Sequence, residues 1–129
     1  MLNRTGITKV TGAAPVQILF NVQNQMSVGI KLAKDFAGAV VENGRKIVKA
    51  GTPLAGDLTN RSVAFTAAAA GNAAGVLLHD VDVTDSDANA TLLIWGFVNL
   101  NRVDASTKAL LTTEVQNALA GRVYFLADN

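Results

Sequence analysis

Residues 90–98, ATLLIWGFV, are a nearly unbroken run of apolar residues and predict a long buried strand. A second apolar run, AGVLL at residues 74–78, also has the length of a strand. Between them lies the polar stretch 80–89, whose Asp, Ser and Asn residues are typical of turns. We therefore predict two buried strands that are joined by an acidic loop.

A β-hairpin is predicted in the first half of the chain. Two short apolar segments, residues 39–41 and 46–48, flank the sequence Glu-Asn-Gly-Arg at 42–45. Asn and Gly tolerate positive φ, which the tight turn of a hairpin requires. Composition and alternation predict further strands at residues 15–22, 28–32, 63–66 and 122–126. Pro53 suits a strand end or edge because it lacks an N–H group, and the alanine run 67–70 is predicted to be a loop.

One helix is predicted, over residues 107–120. Ser106 is a candidate N-cap, apolar residues recur at helical spacing, and Gly121 stands where a left-handed C-terminal cap is expected. This helix is expected to cover one face of the sheet. The predicted class is therefore mainly β, a small barrel-like domain with one C-terminal α-helix.

The composition fits one folded domain. The chain has 129 residues, half of them apolar and 16% charged, which argues against a disordered protein. Cysteine is absent, so disulfides, thiolate metal sites and a cysteine nucleophile are excluded. We expect neither a signal peptide nor a membrane-spanning segment, since no apolar run reaches the required length.

Residues 1–14 are predicted to form a flexible N-terminal arm, followed by a single β-rich domain at residues 15–129. The opening segment mixes Asn, Thr, Gly and Ala and forms neither a good helix nor a good strand. The candidate binding residues of this arm are Arg4, Ile7, Lys9 and Val10.

Charge is distributed unevenly along the chain. Residues 1–50 carry seven basic and two acidic residues, whereas the remainder carries four basic and eight acidic residues. One interpretation is that the N-terminal half meets an acidic partner, and the other is that these are ordinary solvated charges.

The carboxylates of the acidic loop are candidate ligands for a metal ion. Asp80, Asp82, Asp85 and Asp87 lie within eight positions, but a calcium-binding loop that starts at Asp80 would need Gly and Glu where Asp85 and Thr91 stand. A turn is therefore favoured over a weak cation site. We predict no metal ligand.

Other chemistry has little support in the sequence. His79 is the only histidine and is predicted to be structural or at the surface, and no serine lies in a Gly-x-Ser-x-Gly motif. We predict no catalytic residue and no cofactor. Basic residues are dispersed and no phosphate-binding loop is complete, so no nucleic-acid partner is expected. Trp95, inside the main apolar run, is predicted to lie in the core rather than to stack on a ligand.

From Lys46 onward, the chain resembles phage head-decoration proteins, the family of the lambdoid decoration protein, and phage head-fibre proteins. The resemblance consists of an ordered series of segments: AGTPL at 50–54, AGVLL at 74–78, DVDVT at 80–84 and GFVNL at 96–100, followed by a helix and a closing strand. It covers about two thirds of the chain. Residues 15–45 carry no signature of the family.

The resemblance implies a β-tulip-like protomer that forms homotrimers on the outer surface of a tailed-phage head. Such a protein clamps neighbouring copies of the major capsid protein at local threefold positions. The N-terminal arm is then expected to become ordered by pairing with a capsid strand, and neither catalysis nor a cofactor is implied. The expected location is the virion surface, after synthesis in the cytoplasm of the bacterial host.

Three alternatives remain open at this point. The first is the base of a head fibre or a host-surface-binding virion protein, which the lack of fibre repeats up to Asn129 disfavours. The second is a small β-barrel ligand-binding module with Trp95 and His79 in a pocket. The third is an enzyme that uses the carboxylates of residues 80–87, which would need two of them in a cleft with unequal pKa values.

Overall fold

The computed structural model describes residues 17–20, 23–34 and 36–127. Within these residues the fold is mainly β, which confirms the predicted class. The strands are β1 (Met26–Leu32), β2 (Val40–Glu42), β3 (Arg45–Val48), β4 (Pro53–Ala55), β5 (Thr66–Ala67), β6 (Gly75–Leu77), β7 (Val81–Asp82), β8 (Ala88–Asn99) and β9 (Val123–Leu126). The helices are α1 (Ala105–Lys108) and α2 (Thr113–Ala118), and two 3₁₀ turns lie at Ala70–Asn72 and Leu100–Arg102.

Strand β8 organises the larger of two sheets. The strand order is β1-β8-β6-β4-β5, and β9 pairs in parallel with the C-terminal half of β8. The apolar run 90–98 therefore forms a strand as predicted, with two further residues before Ala90 and one after Val98. Leu92 and Leu93 of this strand are buried on opposite faces, because an apolar core covers each face of the sheet at this point.

The smaller sheet contains the predicted hairpin. Its order is β2-β3-β7, and Glu42 pairs with Arg45 across the two-residue turn. Asn43 and Gly44 have φ values of 52° and 78°, as this turn requires. The hairpin prediction is confirmed.

Strand pairing shows two sheets rather than a continuous ring of strands. A single parallel bridge between Leu32 and Phe65 brings the segment before β5 against β1. The structure thus confirms a small β-rich domain and does not show closure into a barrel. The bridge is the contact at which the outer strands of the larger sheet meet.

Two apolar cores lie on opposite sides of the larger sheet. Adjacent residues of β8, Leu92 and Leu93, point into different cores because side chains alternate along a strand. The helix-side core comprises Ile18, Leu19, Ala50, Ala73, Val76, Leu78, Leu93, Val98, Val103, Leu111, Val115, Leu119 and Val123. The hairpin-side core comprises Ile30, Leu32, Phe36, Val48, Leu54, Phe65, Leu77, Val83, Ala90 and Leu92.

The single predicted helix is two short helices. Asp104, rather than Ser106, caps α1 by accepting a hydrogen bond from the Ser106 N–H at 3.2 Å. Thr112 caps α2 by accepting one from the Val115 N–H at 3.4 Å. Two capping side chains that bind the backbone locally explain the interruption. Gly121 has a φ of 81°, as predicted for the residue after the helix.

Several shorter segments differ from their predictions. Strand β7 lies inside the predicted acidic loop, where it pairs with β3. The strand predicted at 63–66 begins later, at Thr66, and Val63 is exposed. Pro53 is the first residue of β4, as expected, although β4 lies between β5 and β6. Such short strands depend on distant partners for their hydrogen bonds, which local composition does not reveal.

The described residues include only part of the N-terminal region. The predicted arm, residues 1–14, lies outside the described residues, as do four residues of the strand predicted at 15–22. In the described part of that strand, Leu19 forms an isolated antiparallel bridge with Val98 of β8. None of the helices in the described parts of the chain is long and apolar enough to cross a membrane.

Candidate interaction face

The predicted arm residues Arg4, Ile7, Lys9 and Val10 all lie outside the described residues, so the structure places none of them. The chain that follows the arm does have a defined place. Residues 18–20 lie alongside the C-terminal half of β8. The Asn99 N–H donates to the Ile18 carbonyl at 2.8 Å, and the Phe20 N–H donates to the Phe97 carbonyl at 2.7 Å. The described chain therefore begins beside this half of β8.

A β-bulge in β8 determines what faces outward here. Ser27 of β1 pairs with Leu93, whereas the preceding Met26 pairs with Trp95, so that Ile94 has no partner. An extra residue of this kind reverses the side to which the following residues point. Leu93 and Val98, five positions apart, accordingly both lie in the helix-side core.

Trp95 is exposed as a result, and its predicted core position is wrong. The side chain would have joined Leu93 in the helix-side core if the alternation were regular. The bulge turns it to the opposite side instead, where 42% of the residue is accessible to solvent. Gly96 takes the inward position, and a Cβ there would lie 3.2 Å from Leu93 Cδ1.

Four aromatic residues and a methionine form one surface at this end of the sheet. Trp95 contacts Phe97 edge to face with ring centroids 6.1 Å apart, and Phe97 stacks on Tyr124 of β9 at 5.3 Å. Phe20 lies beside Phe97 through its backbone hydrogen bond, and Met26 is the cross-strand partner of Trp95. We call these five residues, Phe20, Met26, Trp95, Phe97 and Tyr124, the aromatic face.

The aromatic face is largely open to solvent. Phe20 is 49%, Met26 57% and Tyr124 44% exposed. The chain has seven aromatic residues, five Phe with one Trp and one Tyr, and four of them lie on this face. Aromatic residues usually dominate cores, so this placement needs an explanation beyond folding.

The segments that form the aromatic face carry no charge. Asp, Glu, Lys, Arg and His are absent from residues 10–30, 88–101 and 123–127. Sequence reasoning missed this face because it assigned Trp95 to the core. Long charge-free stretches in a chain with 21 charged residues, eleven basic and ten acidic, were the available signal.

The acidic loop forms a clamp on the hairpin. Arg45 donates from Nε to Asp82 Oδ2 and from Nη2 to Asp85 Oδ2, both at 2.8 Å. Asp82 also accepts from the Thr84 N–H at 2.9 Å, a bond typical of an Asx turn. We call the contacts of Arg45 with the carboxylates of Asp82 and Asp85 the Arg45 clamp.

The other two carboxylates of the loop bind elsewhere. Asp80 Oδ1 accepts from the Ala50 N–H at 2.7 Å, and Asp87 Oδ1 accepts from the Lys34 N–H at 2.8 Å. The four carboxylates thus bind three separate parts of the chain, around Arg45, Ala50 and Lys34. Among the described residues, no group of three or more His, Asp or Glu side chains is arranged to hold a metal ion.

Acid titration is expected to weaken the Arg45 clamp. The hydrogen bond from Arg45 is the main cause that lowers the pKa of Asp82 from 3.8 to about 2, followed by the backbone bond from Thr84. As the pH falls, the unfolded chain takes up this proton first, so the clamp stabilises the fold above about pH 4 and loses its effect between about pH 4 and pH 2. Melting temperatures of wild type and Asp82→Asn should therefore differ at neutral pH and converge over that window.

The reciprocal change is the control for this experiment. Arg45→Gln removes the guanidinium that lowers the pKa of Asp82, so it should reduce the change in melting temperature between about pH 4 and pH 2. The double variant should be scarcely less stable than either single variant, because the two residues share one contact. A gap between wild type and Asp82→Asn that stays constant down to about pH 2 would contradict the assignment. Both side chains are substantially exposed, so the shift in melting temperature should be small.

A polar cleft of about 220 Å³ lies on another part of the surface, lined by Lys49, Ala50, Asp80, Asn101, Arg102, Val103 and Asp104. Lys49 Nζ lies 2.9 Å from Glu42 Oε2 and 3.5 Å from Asp80 Oδ2, and the hydrogen bond to Glu42 is the main cause that raises the pKa of Lys49. Lys49 is thus paired with Asp80 in the lining of the cleft and with Glu42 beside it. Neither Trp95 nor His79 lines this cleft, and His79 is exposed, as predicted.

Comparison with known proteins assigns the chain to no family. No protein-family model matches the chain, and a search of curated proteins gave no match.

Proposed function

We propose that this chain is a capsid decoration protein, which binds the outer surface of a tailed-phage head and stabilises the mature shell. The observation that carries the proposal is the exposed, uncharged aromatic face, which includes Phe20 near the start of the described chain. The protein would act as a homotrimer at local threefold positions, after synthesis in the bacterial cytoplasm. Its main partner is the major capsid protein.

An exposed apolar surface of this kind is typical of proteins that bind other proteins. Monomeric proteins rarely expose large apolar patches without an interaction at that site. Aromatic residues and Met are enriched in the centres of protein interfaces, where charged residues are depleted. The aromatic face has both properties, which favours an assembly protein over a solitary one.

The arm provides a second means of binding. Residues 1–14 contain isolated apolar residues in a polar segment, a composition that suits addition of a strand to an exposed sheet edge. In such a mode the backbone supplies hydrogen bonds, while alternate side chains such as Ile7 supply specificity. Many copies on one lattice then reinforce the shell, even if each contact is modest.

Three of the four segments that carry the family resemblance belong to the larger sheet. Residues 50–54 lead into β4, residues 74–78 contain β6, and residues 96–100 contain the end of β8, with which the closing strand β9 pairs. The fourth segment, residues 80–84, contains β7 of the smaller sheet. The ordered series thus extends over both sheets of one β-rich domain, as the proposal of a single decoration domain requires.

The acidic loop favours a structural role over a catalytic one. An acid and base pair would need two carboxylates in a cleft with separate pKa values. Asp82 and Asp85 instead share Arg45 at the surface, and Asp87 binds a backbone N–H. The protein-binding role requires none of these groups to react.

Co-sedimentation with mature, undecorated phage heads tests the proposal, and removal of residues 1–14 is the informative variant. Wild type is expected to pellet with heads. The truncated protein should melt within a few degrees of wild type, because an arm outside the core contributes little to stability, yet its binding should drop by at least about tenfold.

Matched pairs of substitutions separate apolar from charged contributions in the arm. Ile7→Asn with Val10→Asn should weaken head binding more than Arg4→Gln with Lys9→Gln, because strand addition relies on side-chain pockets. If the truncated protein still decorated heads at wild-type occupancy, the arm would be excluded as the segment that binds the capsid. Wild type that never pellets with heads would overturn the proposed function.

A further inference from the structure

A second cleft, of about 390 Å³, lies beside β1, the strand at one end of the larger sheet. It is bounded by β1, by the start of β8 and by the loop that precedes β5. Among the described residues, its lining contains two cations and no Asp or Glu, so we call it the basic cleft. Its lining includes Gly29, Ile30, Lys31, Arg61, Asn89 and Ala90.

The loop that carries Arg61 has a defined conformation. Asp57 Oδ1 accepts hydrogen bonds from the N–H and the Oγ1 hydroxyl of Thr59, at 2.8 and 2.6 Å. Arg61 reaches the edge of β1, where its Nη1 donates to the Gly29 carbonyl at 3.0 Å. This bond holds the guanidinium at the cleft and uses only one of its N–H donors. The other donors are therefore available to a ligand at little further entropic cost.

The positive charges of the basic cleft have no carboxylate partner within the described part of the chain. Arg45 and Lys49 bind carboxylates, whereas Arg61 binds a neutral carbonyl. Lys31 is only partly exposed, and its cross-strand partner, Asn89, is neutral. Two like charges in one cleft repel each other, so an anion that contacts both is favoured there.

Gly29 indicates that this anion belongs to a polypeptide. A Cβ at Gly29 would have nothing within 4 Å, and the residue is not among the glycines with positive φ. Neither packing nor backbone geometry therefore requires glycine at this position. A glycine inside a strand weakens it and often marks a place where another backbone approaches closely. The missing side chain leaves room for the main chain of a partner beside Arg61.

The number of cations favours a protein partner over a nucleic acid or a membrane. A DNA-binding surface neutralises roughly 6–10 phosphates, and binding to anionic lipids uses about 4–8 clustered basic residues. Lys31 and Arg61 are too few for either surface. They match one or two carboxylates, which a guanidinium can bind through two parallel hydrogen bonds.

We propose that the basic cleft binds an acidic segment of a partner protein, with its carboxylates on Lys31 and Arg61 and its backbone passing Gly29. The identity of this partner rests on the proposed function, which makes it the major capsid protein. The cleft then adds a contact with the shell that is separate from the arm and from the aromatic face. Its charges contribute mainly to the rate and the specificity of binding.

Nuclear magnetic resonance of the ¹⁵N-labelled full chain tests the cleft directly. The probes are a blocked hexaglutamate peptide, the matching hexaglutamine peptide and inorganic phosphate. Hexaglutamate is expected to shift the amide signals of Gly29, Lys31 and Arg61, whereas hexaglutamine should leave them in place. Added salt should weaken the binding of hexaglutamate, because exposed charges are screened.

Two variants separate the contributions of charge and of space. Lys31→Gln with Arg61→Gln should weaken hexaglutamate binding by at least about fivefold, since each exposed ion pair contributes a factor of up to about five. Lys108→Gln is the matched control, because Lys108 is exposed and lies outside the cleft. Gly29→Val should weaken peptide binding to a similar extent yet leave phosphate binding unchanged. Circular dichroism verifies that each variant is folded.

Three results with the peptides would overturn the inference. The first is that hexaglutamate leaves the signals of the cleft unshifted. The second is that Lys108→Gln weakens binding as much as the double variant. The third is that Gly29→Val binds hexaglutamate like wild type, since the cleft would then accept small anions without contacting a peptide backbone.

Phage heads separate this inference from the proposed function. The double variant should bind heads at least about fivefold more weakly than wild type, with a smaller dependence on salt concentration. If it bound heads as tightly as wild type, the capsid would be excluded as the partner of the cleft. Wild type that binds hexaglutamate at the cleft but ignores heads would leave the site intact and overturn the proposed function.

Discussion

Replacing Phe65 with alanine is expected to destabilise the domain by about 3–5 kcal/mol, a large part of the stability of a typical domain. Phe65 is 1% exposed and belongs to the hairpin-side core. Its backbone also holds two strands together, because its N–H donates to the Lys31 carbonyl at 2.8 Å and the residue bridges Leu32. Loss of the ring would leave a cavity at the place where the outer strands of the larger sheet meet.

Val63→Ala is the control for Phe65→Ala. Val63 lies two positions earlier in the same segment but is 60% exposed, so its truncation should change stability by no more than about 0.5 kcal/mol. In thermal melting, Phe65→Ala should lower Tm by roughly 10–20 °C, whereas Val63→Ala should scarcely move it. Equal shifts for the two variants would contradict the assigned core.

Gly75→Ala is expected to have the second largest effect, a loss of about 3 kcal/mol from a single added methyl group. A Cβ at this position would clash with the Leu93 carbonyl oxygen and would lie 2.9 Å from Leu92 Cγ. The carbonyl belongs to the backbone of β8, which pairs with β6 on this side. The clash can therefore be relieved only by separating the two central strands.

Gly29→Ala provides a matched comparison, because it places the same methyl group in a strand where nothing lies within 4 Å. Its effect should be neutral or slightly stabilising, since alanine restricts the unfolded chain more than glycine does. Denaturant titration of both variants measures the contrast. If Gly75→Ala melted like Gly29→Ala, the close packing of β6 against β8 would be incorrect.

Predictions that depend on local chemistry agree with the structure. The Asn43-Gly44 turn forms because these residues accept positive φ, and Gly121 ends the helical region for the same reason. The apolar run at 90–98 forms a strand because its neighbours along the chain offer no competing pattern. Each of these features is encoded within about ten residues of sequence.

Predictions that depend on pairing between distant segments differ from the structure. Strand β7 exists because β3 supplies its hydrogen bonds, although its own sequence is typical of a turn. The division of the helical region is an exception with a local cause: Thr112 caps α2 by binding the backbone three residues later, where periodicity predicts a continuous helix.

Apolar run length and backbone freedom are local properties, so the mainly β class, the position of the central strand and the turn of the hairpin could be predicted from the sequence. The residues that the central strand exposes to solvent depend on tertiary pairing. The unpaired Ile94 arises from the register between β1 and β8, and it reverses the direction of Trp95 and Phe97. Register is set by all the strands that pair with β8 together, so the aromatic face could be located only once those strands were in place.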